Sequence, residues 1–145
     1  MKTKRFLLTC LFLLIIMVAN CNMLGPNQDF KFLADYQKNP DGTITFTLTV
    51  RNESMKEIEL VSSTSMLYEI EVYEKLGLLI WNWSYDKSFL MVLTSIILQP
   101  GEEKVFRETW EVRSNTGQPV PPGTYRVRAC LVTKPGANYS FEMNI

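Results

Sequence analysis

The chain has 145 residues, with fifteen basic and fifteen acidic side chains, three cysteines and no histidine. Without histidine, every Ser-His-Asp or Cys-His arrangement and every His-ligated metal site is excluded. Beyond the first five residues no run of Lys or Arg occurs, so there is no basic stripe of the kind that displaces counterions from phosphates, which argues against a nucleic-acid partner.

The chain opens on Lys2, Lys4 and Arg5, followed by an apolar run over residues 6–19. That run is shorter than the roughly 20 residues a helix needs to span a bilayer, and the plan is that of a secretory signal peptide over residues 1–20. Val18-Ala19-Asn20-Cys21 has the shape of a bacterial lipobox, with Cys21 as the lipidated first residue of the mature protein, although Asn20 is larger than the residue usual at that place. The alternatives are ordinary cleavage near Ala19 and Cys21, or no cleavage, with the apolar segment kept as an anchor. Acylation fixes a chain to its membrane because each buried methylene contributes roughly 0.8 kcal/mol and more than one acyl chain is attached. Residues 21–28 are then a tether, and residues 29–145 form the domain, exported and held at the bacterial cell envelope. Loss of the three early basic residues leaves that mature chain with twelve basic against fifteen acidic side chains.

Beyond the tether, side chains alternate with a period of two almost throughout, which is the pattern of strands with one buried face. Phe30, Phe32, Ala34 and Tyr36 share a face, and Asn39-Pro40-Asp41-Gly42 supplies turn chemistry. The return strand alternates Ile44, Phe46, Leu48 and Val50 with threonines, so the first two strands form a hairpin. Ile58 and Leu60 alternate with glutamates, as do Tyr68, Ile70 and Val72 with Glu69, Glu71 and Tyr73. Further strands are expected over residues 78–83, 104–112, 124–133 and 139–145, entered through turns at Gly77, Pro100-Gly101 and Pro122-Gly123. Residues 89–98, FLMVLTSIIL, are apolar without a clear period and fit a helical turn, a buried strand or an irregular crossover. Seven to eight short strands at this spacing predict an all-β fold, an immunoglobulin-like antiparallel β-sandwich in preference to a barrel.

Functional chemistry is sparse. The sequence has no G-x-S-x-G, P-loop, Gly-rich dinucleotide turn or zinc-type cysteine pair, and no loop has calcium-ligand spacing. The carboxylate pairs Glu57/Glu59 and Glu69/Glu71 fall on polar strand faces and read as solvated charge. Neither an enzyme nor a bound cofactor or metal is therefore expected. Once Cys10 leaves with the signal and Cys21 carries lipid, Cys130 has no partner and reads as a buried, inert thiol. The N-x-S sequons at Asn52, Asn82 and Asn138 read as coincidences in a lipoprotein. Trp81 and Trp83 share one strand face, whereas Leu78, Ile80 and Asn82 share the other. Leu79 makes the tryptophan face the more apolar, so it is expected in the core; the alternative is an exposed aromatic patch for a partner or glycan.

The stretches YEIEVYEKLGLLIWNWSYDKSF, LQPGEEKVFRETW and PPGTYRVRACL, in that order, resemble the BsuPI domain, the intracellular proteinase inhibitor domain of Bacillus. The positions that carry the resemblance are Tyr68, Glu69, Gly77, Trp81, Trp83, Ser84, Phe89, Pro100, Gly101, Glu102, Trp110, Pro122, Gly123 and Tyr125, with FTLTVRN over residues 46–52 matching the family's early strand. The resemblance implies an immunoglobulin-like sandwich in which Tyr68, Gly77, Trp81, Trp83, Pro100, Gly101, Trp110, Gly123 and Tyr125 are structural. It also implies a protein partner, with inhibition of a serine proteinase as the activity. Candidate binding loops are Ser84, Tyr85, Asp86, Lys87 and Ser88 first, then residues 62–66 and 114–121; none shows a disulfide or other brace in the sequence. The competing reading is a structural or accessory envelope lipoprotein that packs into an assembly without inhibiting anything.

Overall fold

The computed structural model describes residues 29–145; the expected signal peptide, Cys21 and the expected tether lie outside the described residues. Within them, threonine-flanked apolar alternation builds β2 (Ile44–Asn52), whose apolar side chains are all buried while its threonines remain half-buried. On one side β2 pairs antiparallel with β1 (Phe30–Lys38) and on the other with β7 (Glu103–Trp110), giving a three-stranded layer. The facing layer is four-stranded, in the order β5 (Leu79–Asn82), β4 (Tyr68–Tyr73), β8 (Thr124–Leu131), β9 (Ala137–Asn144). A third, two-stranded sheet joins β3 (Ile58–Ser62) to β6 (Thr94–Leu98). All pairings are antiparallel. The architecture is the expected immunoglobulin-like β-sandwich, with nine strands among the described residues.

The ambiguous stretch 89–98 divides. Its second half is β6, which buries Ile96 and Leu98 and exposes Ile97; its first half, 89–93, forms no strand. The strand expected over 104–112 stops at Trp110 because Val112 adopts a φ of 58°. A β-branched residue is seldom found in that left-handed region, at a cost of order 1–3 kcal/mol. The hydrogen bond from the Val120 amide to the Val112 carbonyl, at 2.9 Å, holds it there. The strand expected over 124–133 ends at Leu131, and the chain turns through 132–136 into β9. Gly136 is required in that turn, since a Cβ there would lie 2.8 Å from the carbonyl oxygens of Leu131 and Thr133.

The core lies between the two large layers. Phe32, Phe46, Leu48 and Val50 come from one side, and Ile70, Val72, Val127, Ala129 and Met143 from the other. Burying side chains of this size contributes about 1.5–3 kcal/mol each relative to exposure. Leu60 and Leu98 extend the core beneath the small sheet. That sheet is tied to β2 by Asn52, a fully buried polar residue. Its amide donates to the carbonyls of Lys56 (2.7 Å) and Leu98 (2.9 Å), and its side-chain oxygen accepts from the Ser54 amide and hydroxyl, each at 2.8 Å. Asn52 is therefore closed to a glycan. Asn52→Ala strands buried acceptors and should lower stability by about 2–4 kcal/mol. The expected result in urea unfolding is a lower midpoint at an unchanged slope.

Candidate protein-binding site

Two indoles mark the end of β5. Trp81 lies opposite Val72, but Tyr73 lies opposite Leu79, so Ile80 is the extra residue of a bulge. A bulge reverses the phase of a strand. Trp81, opposite buried Val72, and Trp83 pack against the core, as the apolar pattern predicts, but two details differ from that pattern because of the bulge. Leu79 does not share the tryptophan face and is exposed, while Ile80, assigned to the opposite face, also packs against the core. Trp81 stacks between Phe46 (6.1 Å) and Trp110 (5.4 Å), joining the two layers. Trp83 meets Tyr68 at 4.5 Å and Phe89 at 5.7 Å, and Tyr68 in turn meets Phe106 at 4.6 Å.

The turn that follows is held by polar groups. Glu69 is not a solvated charge: its carboxylate accepts from the amide of Ile70 (2.9 Å), the amide of Ser84 (3.1 Å), the Ser84 hydroxyl and the Asn82 amide nitrogen. Asn82 and Asn115 form a reciprocal pair. The Asn115 side-chain nitrogen donates to Asn82 Oδ1 at 2.8 Å, and the Asn82 backbone amide donates to Asn115 Oδ1 at 3.1 Å. Asn82, the last residue of β5, also donates from its side-chain nitrogen to Ser84 Oγ at 2.9 Å, so it links two of the predicted loops, 84–88 and 114–121. The third, 62–66, is fastened instead to the segment after the turn: the Ser65 amide donates to the Leu90 carbonyl and the Leu90 amide to Ser65 Oγ, both at 2.9 Å. Sequence reasoning missed these braces because, the Glu69–Ile70 and Asn82–Ser84 bonds apart, they join groups 13 to 33 positions apart along the chain. The only hint was an acidic residue, Glu69, at the start of a strand.

Within the loop, Ser84 is half-buried, whereas Tyr85, Asp86, Lys87 and Ser88 are exposed. Lys87 places its ammonium 4.9 Å from the centre of the Trp83 ring, a cation–π contact, and pairs with Asp86 at 3.3 Å. Between this loop and the hairpin 113–119 runs a groove of about 380 Å³, floored by Trp81, Trp83 and Trp110 and rimmed by Lys87, Asp86 and Arg113. Such a groove offers aromatic surface and both signs of charge. Among the described residues, no three His, Cys, Asp or Glu side chains are grouped to hold a metal ion.

The remaining motif positions serve turns and contacts within the fold. Gly77 (φ 91°) closes the 74–78 turn through its amide to the Glu74 carbonyl. Pro100 and Gly101 turn β6 into β7, where the Gly101 amide donates to the Asn52 carbonyl. Gly123 lies against the ring of Tyr125, whose hydroxyl donates to the Pro121 carbonyl at 2.8 Å. Trp110 is buried and donates from Nε1 to the Arg113 carbonyl at 2.7 Å. Cys130 is half-buried rather than fully buried, and burial pushes its thiol up despite the nearby Arg128 guanidinium.

Tyr68 donates its hydroxyl to Glu108. Burial first, and this acceptor second, push the phenol well above its ordinary value. Because the fold favours the protonated phenol, its contribution is complete below the unfolded value of about 10 and is lost as the pH rises from there through the folded value. Urea unfolding midpoints should therefore fall above pH 10. In Tyr68→Phe the fall should be shallower, with about 1 kcal/mol less stability at neutral pH from the lost hydrogen bond.

A family model described as BsuPI, intracellular proteinase inhibitor, matches residues 30–136. No curated protein matches the chain. Among solved structures, a CARDB domain from Pyrococcus furiosus, in complex with two metal ions, is 17% identical with a TM-score of 0.43, over 80% of this chain and 86% of that one. The sporulation control protein of Bacillus subtilis is 16% identical with a TM-score of 0.47, over 81% of this chain and 49% of that one. A β-glucosidase from Listeria innocua is 15% identical with a TM-score of 0.45, over 81% of this chain but 16% of its own length.

Proposed function

The chain belongs to the BsuPI family of intracellular proteinase inhibitors, and on that premise we propose that it is a non-catalytic domain that binds and blocks a serine proteinase from an anchored position at the cell envelope. The anchor is lipid on Cys21, and the partner is extracytoplasmic. The observation that carries the reading is the bracing of loop 84–88 by Glu69 and by the Asn82–Asn115 pair. An inhibitor must hold a loop in its bound geometry before the enzyme arrives, because ordering it on contact would cost affinity. Disulfides commonly provide this rigidity; here a carboxylate, two amides and a tryptophan supply it. The loop's exposed Tyr85 offers an aromatic body, the residue class enriched at interfaces, and Asp86 and Lys87 offer both charges for a polar rim.

The direct test is titration of the full chain, purified in mild detergent, into serine proteinases. Stoichiometric loss of proteolysis is the expected result. Asn115→Ala should weaken inhibition by roughly tenfold by loosening the loop. Native affinity capture that retains only non-proteolytic envelope proteins, with no inhibition of any proteinase, would instead make the chain an accessory envelope lipoprotein. For the anchor, mass spectrometry of the mature amino terminus should find acylated Cys21, and Cys21→Ser should release the protein from the membrane fraction.

A further inference from the structure

Four consecutive aliphatic side chains face solvent just beyond the braced loop. Leu90 is 72% exposed, Met91 88%, Val92 50% and Leu93 76%. A strand would bury every second one of these, but the chain bends at 91–92 and forms no ladder until β6 begins at Thr94. The other exposed aliphatics lie differently: Leu33, Met55, Ile97 and Val132 stand singly along the chain, and Leu76, Leu78 and Leu79 surround Gly77 beside Glu74 and Lys75, where Leu79 is the least exposed of the three. Isolated exposed apolar residues are ordinary, whereas a contiguous group marks a contact surface.

The segment is also held at both ends. Phe89 packs on Trp83 at 5.7 Å, and Leu90 exchanges two 2.9 Å hydrogen bonds with Ser65. On the far side, Thr94 pairs with Ser62 in the small sheet, and its hydroxyl donates to the Val92 carbonyl at 3.3 Å. Loop 62–66, which supplies the Ser65 contacts, is itself closed by the 2.6 Å bond from the Ser62 hydroxyl to the Met66 carbonyl. The apolar bend is thus presented on a fixed frame, next to the exposed polar residues 85–88.

We propose that residues 90–93 are the apolar anchor with which this domain seizes its proteinase, and that the enzyme is one whose substrate cleft accepts large aliphatic side chains. This inference rests on the inhibitor reading given above. Binding energy concentrates in a few desolvated apolar contacts surrounded by a polar rim; here Leu90, Met91 and Leu93 form the centre, and Tyr85, Asp86 and Lys87 the rim. No charged residue lies between Lys87 and Glu102. A cleft that selects lysine or arginine therefore finds no matching cation in this segment, whereas one that selects leucine or methionine finds several. The polar loop 84–88, expected from the sequence to be the contact itself, becomes its border.

The test uses the full chain in detergent against subtilisin and chymotrypsin, which favour large apolar residues, and trypsin, which favours basic ones. Inhibition of at least one of the first two, with trypsin spared, is expected. Met91→Asp and Leu93→Asp should each raise the inhibition constant by roughly 30-fold or more, the mark of an interface hot spot. Their melting temperatures should match that of the parent, since both side chains are exposed. Equal inhibition by the parent and both variants would overturn the anchor while leaving the inhibitor reading intact. Inhibition of none of the three enzymes would overturn both. Sedimentation with anionic phospholipid vesicles that is abolished by Met91→Asp, in a protein whose inhibition of subtilisin is unaffected by that change, would reassign the bend to lipid and overturn the proposal.

Discussion

The contact on which the rest depends is Trp81 between Phe46 and Trp110. Phe46 and Trp110 belong to one layer and Trp81 to the other, so the three rings set the separation and alignment of the two sheets at this end. Offset and tilted ring contacts contribute about 0.5–1.5 kcal/mol beyond the area they bury. Pairing with buried Val72 points Trp81 inward, the bulge at Ile80 turns Leu79 away from that face, and two residues on Trp83 lies over Tyr68. From there the chain emerges as the braced loop. The core and the candidate site therefore share a single strand end, and the loop's geometry is inherited from the packing beneath it.

Much of the fold was legible because its signals are local. The threonine-flanked alternation of β2 specified both its face and its hairpin partner, and the Pro-Gly and Asn-Pro-Asp-Gly turns located most strand starts. The inward orientation of the tryptophans was also legible, though partly for the wrong reason. Strict alternation assigned Leu79 to the tryptophan face, and a bulge, which adds a residue without any compositional mark, broke that alternation. The ends of β7 and β8 were each misplaced by two residues for a related reason. Val112 and Leu131 look like strand residues, and only distant partners (the Val120 amide and the turn closed by Gly136) stop the strands before or at them.

The site was less legible than the fold. Glu69 looked like one of several glutamates on a polar strand face, and its identity as an acceptor for Ser84 depends on residues 15 positions away coming back beside it. Asn82 and Asn115 are 33 residues apart, with nothing in composition to pair them. The apolar stretch 89–98 was visible as unusual, but period alone could not separate a half that is buried in β6 from a half that faces water. That division follows from pairing with β3, which is a tertiary fact. Sequence pattern identifies faces well when one face is buried along a whole strand, and poorly where a segment changes its role midway.

The edges of the four-stranded sheet carry a further consequence, for how copies of this domain tolerate crowding. An open strand edge is a template on which neighbouring molecules can add strands and grow into fibres. At one edge, β5 spans four residues and is interrupted by a bulge, leaving little straight ladder to extend. At the other, β9 lies beside β1, with the Tyr36 ring stacked on Phe141 and the Asn144 amide reaching the Tyr36 hydroxyl. Both edges of this sheet are blunted, so two copies of the domain cannot readily zip together through it, and contacts made along these edges are left to side chains.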